Sequence, residues 1–315
     1  MENRIRVLPG EIINQIAAGE VVERPASIVK ELLENALDSG ADEVILNLEK
    51  GGLDMITVID NGSGMNRDEV TSSLLQHATS KIASLKDLEN ISSLGFRGEA
   101  LASISSIAEI SIHSYDGQDK PVTLTGISGH NTLRPGPGRN RGTTVKVTRI
   151  FANVPARRKF LKSETTEYKY ILETFINTVL TKFSISFKLI RNGKTVYQLP
   201  AGTDGLERLL QIHKQVKATE LIRISYDDPQ IRISGWIGSP ELIKQGSSWQ
   251  YLIINGRPVR NPLLNKAVKE GYGTVLMREM NPCYLIFLEL DPAIVDVNVH
   301  PRKQEVRFSD PGRMF

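Results

Sequence analysis

Among 315 residues there is one cysteine, Cys283, so a disulfide framework within one chain and a cysteine-built zinc cluster are both excluded. The five histidines (His77, His113, His130, His213 and His300) are scattered without ligand spacing, and none is assigned to a metal. No apolar run approaches the roughly 20 residues that cross a bilayer. The opening Met1-Glu2-Asn3-Arg4-Ile5-Arg6 is not followed by the apolar stretch of a secretory signal. These absences point to the reducing cytoplasm. A formal net charge of +3 is too small to argue for a nucleic-acid partner by itself. The pattern Gly-x-x-x-x-Gly-Lys-Ser/Thr is also missing, which excludes a P-loop. Ser103 and Ser105 lie where a helix packs and Cys283 where a strand does, so nucleophilic catalysis has no support.

With 40% hydrophobic and 24% charged residues the composition is that of a globular protein of about two domains. Pro200-Ala201-Gly202-Thr203-Asp204-Gly205 marks the boundary, giving domains over 1–200 and 206–315. In the first, a helix from Pro25 is followed by strands at 43–48 and 55–60, helix-like stretches at 66–76 and after 98, and strands at 108–115, 121–127 and 143–150. The segment 129–142, with Pro135-Gly136-Pro137-Gly138, reads as loop, and 79–97 as a mobile lid. A long helix at 165–180 precedes a hairpin turning at Asn192-Gly193. The second domain alternates strands (222–226, 231–237, 249–254, 282–290) with helices (206–214, 262–271), an α+β pattern. Positive charge is clumped rather than abundant: Arg139/Arg141/Lys146/Arg149, Arg157/Arg158/Lys159/Lys162, Arg257/Arg260 and Arg302/Lys303/Arg307.

Chemistry concentrates on the first helix. Glu31 and Asn35 stand one turn apart on one face, with Ser27 and Asp38 extending the stripe. A carboxylate there can orient and deprotonate a water for attack on a phosphate, and an amide oxygen can complete a Mg²⁺ shell otherwise made of phosphates and water. Glu34 and Asp38 have the same spacing, so spacing alone does not choose between the pairs. Asp60, at a strand end before Asn61-Gly62-Ser63-Gly64, can accept from the exocyclic amine of a base while Gly62 and Gly64 allow close backbone approach. The run Gly95-Phe96-Arg97-Gly98-Glu99-Ala100-Leu101 suits a phosphate cradle opening a helix. Lys81 and Lys303 are each long enough to reach a phosphate.

Taken in order, Glu31-x-x-x-Asn35, Asp60-x-Gly62-x-Gly64, Gly95 to Leu101 and Gly142-Thr143 resemble the four ATP-site motifs of the superfamily that joins gyrase, heat-shock chaperone, histidine kinase and MutL ATPases. Within it, Asn14 to Pro25, His77-Ala78-Thr79-Ser80-Lys81-Ile82, Pro155-Ala156-Arg157-Arg158-Lys159-Phe160-Leu161 and Val295 to Pro301 resemble the hallmarks of MutL mismatch-repair proteins. The likeness runs from Ile5 to Phe308.

The resemblance implies an ATPase domain with helices on one face of a mixed, largely antiparallel sheet, followed by a smaller βαβ-type domain related to a ribosomal-protein fold. By position it makes Glu31 the general base, Asn35 the Mg²⁺ ligand and Asp60 the adenine-binding acid, with Thr143 near the base. It places Thr79, Ser80, Lys81, Gly95, Phe96, Arg97, Gly98, Glu99, Ala100 and Leu101 in the lid and phosphate loop. Lys303 becomes the lysine that senses the γ-phosphate from the second domain. It also implies an ATP-gated homodimeric clamp on DNA. Arg257 and Arg260, with Arg157 and Arg158, line the groove. A MutS-type recognition protein and a downstream nuclease or helicase are the expected partners. Nothing here corresponds to the family's carboxy-terminal dimerisation and nicking domain, so no endonuclease is expected of this chain. The competing readings are a type II topoisomerase ATPase subunit, disfavoured by the phosphate-loop sequence, and a nucleotide-binding module without turnover.

Overall fold

Pro25 opens the first helix, α1 (Pro25–Asp38), where its missing N–H would have no partner in any case. The computed structural model describes residues 19, 22–75, 78, 99–127, 130–202, 204–244, 248–277, 279–291, 295–296, 307–308 and 312. Two compact units emerge: residues up to Phe175 together with Ile185–Ala201, and Ile176–Ser184 together with Gly202 onward.

In the first unit α1 is followed by β1 (Glu43–Glu49), β2 (Met55–Asp60), α2 (Arg67–Ser72), α3 (Ala100–Ile107), β3 (Glu109–Tyr115), β4 (Val122–Ile127), β5 (His130–Pro135) and β6 (Gly142–Thr148). Then come α4 (Pro155–Arg158), α5 (Glu164–Thr181), whose residues from Ile176 on belong to the second unit, β7 (Ser186–Arg191) and β8 (Lys194–Leu199). The strands form one eight-stranded sheet in the order β5-β4-β3-β6-β2-β1-β7-β8. Among the described residues of this sheet, only β1 and β7 pair in parallel. Alternation decides which face is covered. Val44, Leu46 and Leu48 of β1, Ile56 and Val58 of β2, Ile110 and Ile112 of β3, and Phe187 and Leu189 of β7 are all buried. Helices cover this face, and α1 contributes Ile28, Val29, Leu32, Leu33 and Ala36 to it. Each such large aliphatic side chain stabilises the fold by about 1.5–3 kcal/mol.

The sequence reading gives no element at α4, nor at Pro240–Lys244 (α7) or Arg257–Val259 (β12) in the second unit, and at one place the structure reverses it. Residues 130–135, expected in a loop, form the strand β5 at the sheet edge, paired with β4 from Val122↔Pro135 to Ile127↔His130. Five of its six residues are exposed, so it carries no alternating apolar signal, and Pro135 is tolerated because an edge strand leaves one side unpaired. The expected lid over 79–97 lies outside the described residues.

Register positions the site. Asp60, the last residue of β2, stands opposite Thr143 of β6, and Thr143 stands opposite Ser114 of β3. Side chains of these three neighbours point to the helix-covered face, where Asp60, Thr143 and Ser114 are all buried.

The second unit contains α6 (Gly205–Ile212), β9 (Leu221–Asp227), β10 (Ile231–Gly238), α7 (Pro240–Lys244), β11 (Gln250–Ile254), β12 (Arg257–Val259), α8 (Pro262–Gly271) and β13 (Tyr284–Leu290). Its five-stranded sheet has the order β12-β11-β13-β10-β9. β11 and β13 are parallel and joined through α8, the βαβ unit of this domain. Asn261 caps α8 by accepting from the Leu264 N–H at 3.1 Å, and Asp204 caps α6 by accepting from the Glu207 N–H at 2.9 Å. Leu252, Ile254, Leu264, Tyr284, Ile286 and Leu288 form its core. Two short strands, β14 (Val295–Asp296) and β15 (Arg307–Phe308), pair with each other. Among the described residues no helix is long and apolar enough to cross a membrane.

Candidate active site

The carboxylate of Asp60 is the best-defined polar centre of the first unit. Its Oδ1 accepts from the Gly62 N–H at 3.0 Å and the Thr143 N–H at 3.2 Å, and the Ser39 hydroxyl oxygen lies 3.5 Å from it. No hydrogen bond reaches Oδ2 among the described residues, so one oxygen is pinned and the other remains an open acceptor. Burial pushes the Asp60 carboxyl up, opposed by the Gly62 and Thr143 N–H groups and by Arg139.

Two glycines allow this geometry. Gly64 has φ +68°, and a Cβ there would lie 1.9 Å from the Tyr115 carbonyl oxygen. Gly142 has φ +129°, and its Cβ would lie 2.1 Å from the Asp60 carbonyl oxygen. The loop after β2 and the start of β6 can therefore close on Asp60 only without side chains at these positions.

Ser39 and Ser114, which the motifs did not single out, lock the frame. Ser39 is the C-cap of α1; its hydroxyl donates to the Ala36 carbonyl at 2.7 Å and its own carbonyl accepts from the Ser63 N–H at 2.9 Å. It thereby ties the end of α1 to the Asp60 loop. The fully buried Ser114 accepts from the Met65 N–H at 2.8 Å and lies 2.9 Å from the Thr143 hydroxyl. A signal for Ser114 existed: it occupies the core-facing register of β3 after Ile110 and Ile112, where an apolar residue is expected.

On α1, Glu31 and Asn35 are both half-buried, about two turns and one turn before Ser39, whose cap ties the end of their helix to the Asp60 loop. Glu34, the competing carboxylate, is committed within the helix to Lys30 at 3.6 Å. Burial pushes the Glu34 carboxyl up to about 7, with Lys30 opposing and the charges of Glu31 and Asp38 adding to it.

The sign of that shift has a consequence for stability. Glu34 binds its proton more tightly folded than unfolded, so its contribution is present below its unfolded pKa and is lost as pH rises through about 7. The loss amounts to about 2–3 kcal/mol between pH 5 and pH 8. Glu34→Gln, which cannot ionise, should therefore gain roughly 4–10 °C in melting temperature relative to the parent at pH 8 compared with pH 5. Equal differences at the two pH values would contradict it.

Of the other residues singled out, Glu99 is the N-cap of α3, and Ala100 and Leu101 start that helix, all half-buried. Gly95, Phe96, Arg97, Gly98, Thr79, Ser80, Lys81 and Lys303 lie outside the described residues. Arg157 and Arg158 close α4 in the first unit. Arg257 begins β12 and Arg260 follows it in the second unit, beyond the tight turn at Asn255 (φ 48°) and Gly256 (φ 74°). The structure thus brings Asp60, Gly62, Gly64 and Thr143 to one end of the first sheet, and α1, which carries Glu31 and Asn35, ends there at Ser39.

Two family models match the chain. The one described as histidine kinase-, DNA gyrase B- and HSP90-like ATPase matches residues 23–130, and that described as DNA mismatch repair protein, C-terminal domain, matches residues 209–315. The DNA mismatch repair protein MutL of Vibrio vulnificus strain YJ016 is 46% identical over 310 residues, covering 96% of this chain and 46% of the relative. That of Cellvibrio japonicus is 42% identical over 313 residues, covering 98% and 50%. The chain therefore spans about half the length of the curated relatives it matches. Among solved structures, the Aquifex aeolicus MutL ATPase domain complexed with ADP is 28% identical with a TM-score of 0.65, covering 86% of this chain and 94% of that one. The N-terminal domain of a DNA repair protein is 24% identical with a TM-score of 0.73, covering 94% and 92%, a likeness of fold.

Proposed function

The chain belongs to the MutL family of DNA mismatch repair proteins, with an ATPase domain of the gyrase and heat-shock chaperone type, and from that premise we propose that it binds and hydrolyses ATP to close a clamp on DNA. The observation that carries the nucleotide part is the Asp60 carboxylate, pinned at Oδ1 by the Gly62 and Thr143 N–H groups with Oδ2 open. That oxygen suits the exocyclic amine of adenine. The ADP complex of the Aquifex aeolicus relative supports a nucleotide here.

In this reading Glu31 orients the attacking water and takes its proton. Among the described residues no three His, Cys, Asp or Glu side chains gather as a metal cage, and the neutral Asn35 amide fits Mg²⁺ held mainly by phosphate oxygens and water. Bound there, Mg²⁺ neutralises charge on the phosphates. The family resemblance assigns Thr79, Ser80, Lys81 and Gly95 to Leu101 to the lid and phosphate loop, and Lys303 to sensing the γ-phosphate. ATP then orders the lid and joins two copies, and hydrolysis releases them. Gel filtration with and without a non-hydrolysable ATP analogue tests the clamp: a nucleotide-dependent shift to dimer is expected, and a monomer throughout would contradict it.

Arg257, Arg260, Arg157 and Arg158 bind DNA phosphates in this reading, and a MutS-type protein and a downstream nuclease or helicase act with it. Phosphate binding carries no sequence information. Arg257→Glu with Arg260→Glu should weaken binding about equally for unrelated duplexes and flatten the dependence of log K on log salt by about one for each phosphate no longer neutralised. An unchanged salt titration would remove both residues from the groove.

A further inference from the structure

Arg139 sits on the other face of the sheet from the Asp60 carboxylate. There a cleft of about 290 Å³ is lined by Ile45, Ile59, His113, Arg139, Arg141 and Thr144. The alternation of β6 fixes the two sides: Thr143 turns its hydroxyl to Ser114 on the helix-covered face, and Thr144 turns its own to Arg139 on the open face. The Arg139 guanidinium is half-buried and spends its donors on the protein itself. Nη1 donates to the His113 carbonyl and to the Thr144 hydroxyl, the latter at 3.2 Å, and Nη2 donates to the Asp60 carbonyl at 3.4 Å. Nε donates to the Asn140 carbonyl at 3.0 Å. One side chain thus reaches the ends of β2, β3 and β6, the three strands that carry Asp60, Ser114 and Thr143.

We infer that Arg139 is the positioning residue of the nucleotide site, holding the Asp60 peptide from behind the sheet so that the carboxylate presents its open oxygen to the base. This rests on the reading of Asp60 as the adenine acceptor. The pattern distinguishes it from an ordinary surface arginine, because its acceptors are carbonyls and a hydroxyl of the frame rather than a neighbouring carboxylate. A basic clump in the sequence is here a fork joining three strand ends. Its charge also opposes the upward push of burial on the Asp60 carboxyl. Gly142, whose missing Cβ leaves room beside the same Asp60 carbonyl, completes the grip.

The test is steady-state ATP and inosine triphosphate hydrolysis by the parent chain, Arg139→Lys, Arg139→Gln and Asp60→Asn. Arg139→Gln loses the charge and most of the fork; its KM for ATP should rise about tenfold with kcat within twofold, and its preference for ATP over inosine triphosphate should shrink. Arg139→Lys keeps the charge and a shorter reach, and its KM should fall between parent and glutamine variant. A KM and base preference within twofold of the parent in both Arg139 variants would overturn the proposal. So would a kcat that falls in step with melting temperature at unchanged KM, the mark of a purely structural part. Where Arg139→Gln does not fold, the lysine variant decides by the same KM criterion. If Asp60→Asn also keeps parental KM and preference, the adenine reading itself fails; if only the Arg139 variants do, that reading stands and the positioning role falls.

Discussion

Glu31→Ala should lower the turnover of ATP by about 10²- to 10⁴-fold while ADP binds within a few-fold of the parent, because a positioned base acts on the transition state and contributes little to ground-state affinity. Single-turnover hydrolysis and an ADP titration measure the two quantities separately. Parental turnover by the variant would remove Glu31 from the chemistry.

The same experiment must include Glu34, because the titration behaviour on α1 favours the other carboxylate. A carboxyl pushed up to about 7 is what a general base often shows, and here it belongs to Glu34, with burial as the leading cause. Burial alone produces such a shift without any catalytic role. Geometry separates the two: Glu34 is held by Lys30 at 3.6 Å, whereas Glu31 shares its stripe with Asn35 and leads to the Ser39 cap beside Asp60. Glu34→Gln should therefore keep kcat within a few-fold of the parent. A loss as large as that of Glu31→Ala would transfer the base to Glu34.

How much of this was legible in the chain follows from where its signals are local. The strand over 55–60, ending on Asp60, is written in a short apolar, β-branched run and a glycine-rich exit, and the structure has it with the same bounds. The hairpin at Asn192-Gly193 is equally local, since both turn residues need positive φ, here 48° and 73°. The edge strand β5 was not legible because its stabilisation comes from pairing with β4, with only Leu133 partly shielded from water. Ser39 and Arg139 were invisible for a related reason: their partners lie 21 and 79 residues away in Asp60, and no spacing rule spans such a gap. Charge clumping also misled in part. Of Arg139, Arg141, Lys146 and Arg149, Arg139 and Arg141 donate to backbone carbonyls and Arg149 pairs with Glu109 at 2.7 Å. Lys146 alone of the four has no such partner among the described residues.

Asp60→Asn should weaken ATP binding by about 10- to 100-fold without loosening the fold, and the reason lies in how the two carboxylate oxygens are used. The asparagine carbonyl can still accept from the Gly62 and Thr143 N–H groups, which hold Oδ1 at 3.0 and 3.2 Å, so the loop keeps its shape. The amide nitrogen then replaces Oδ2 and turns a donor toward the donor amine of adenine, leaving both unsatisfied in a buried place. Hypoxanthine carries a carbonyl oxygen where adenine carries the amine, so inosine triphosphate should lose much less and the preference between the two should narrow or reverse. Stability moves the opposite way. Burial already pushes the Asp60 carboxyl up, so the ionised side chain is held at a cost that asparagine does not incur. The variant should melt at or above the parental temperature at pH 8, which separates loss of recognition from loss of structure. An ATP affinity and base preference equal to the parent would show that Asp60 does not meet the base. The combination expected here, weaker binding in a chain at least as stable, is the signature of a carboxylate kept for its ligand rather than for its fold.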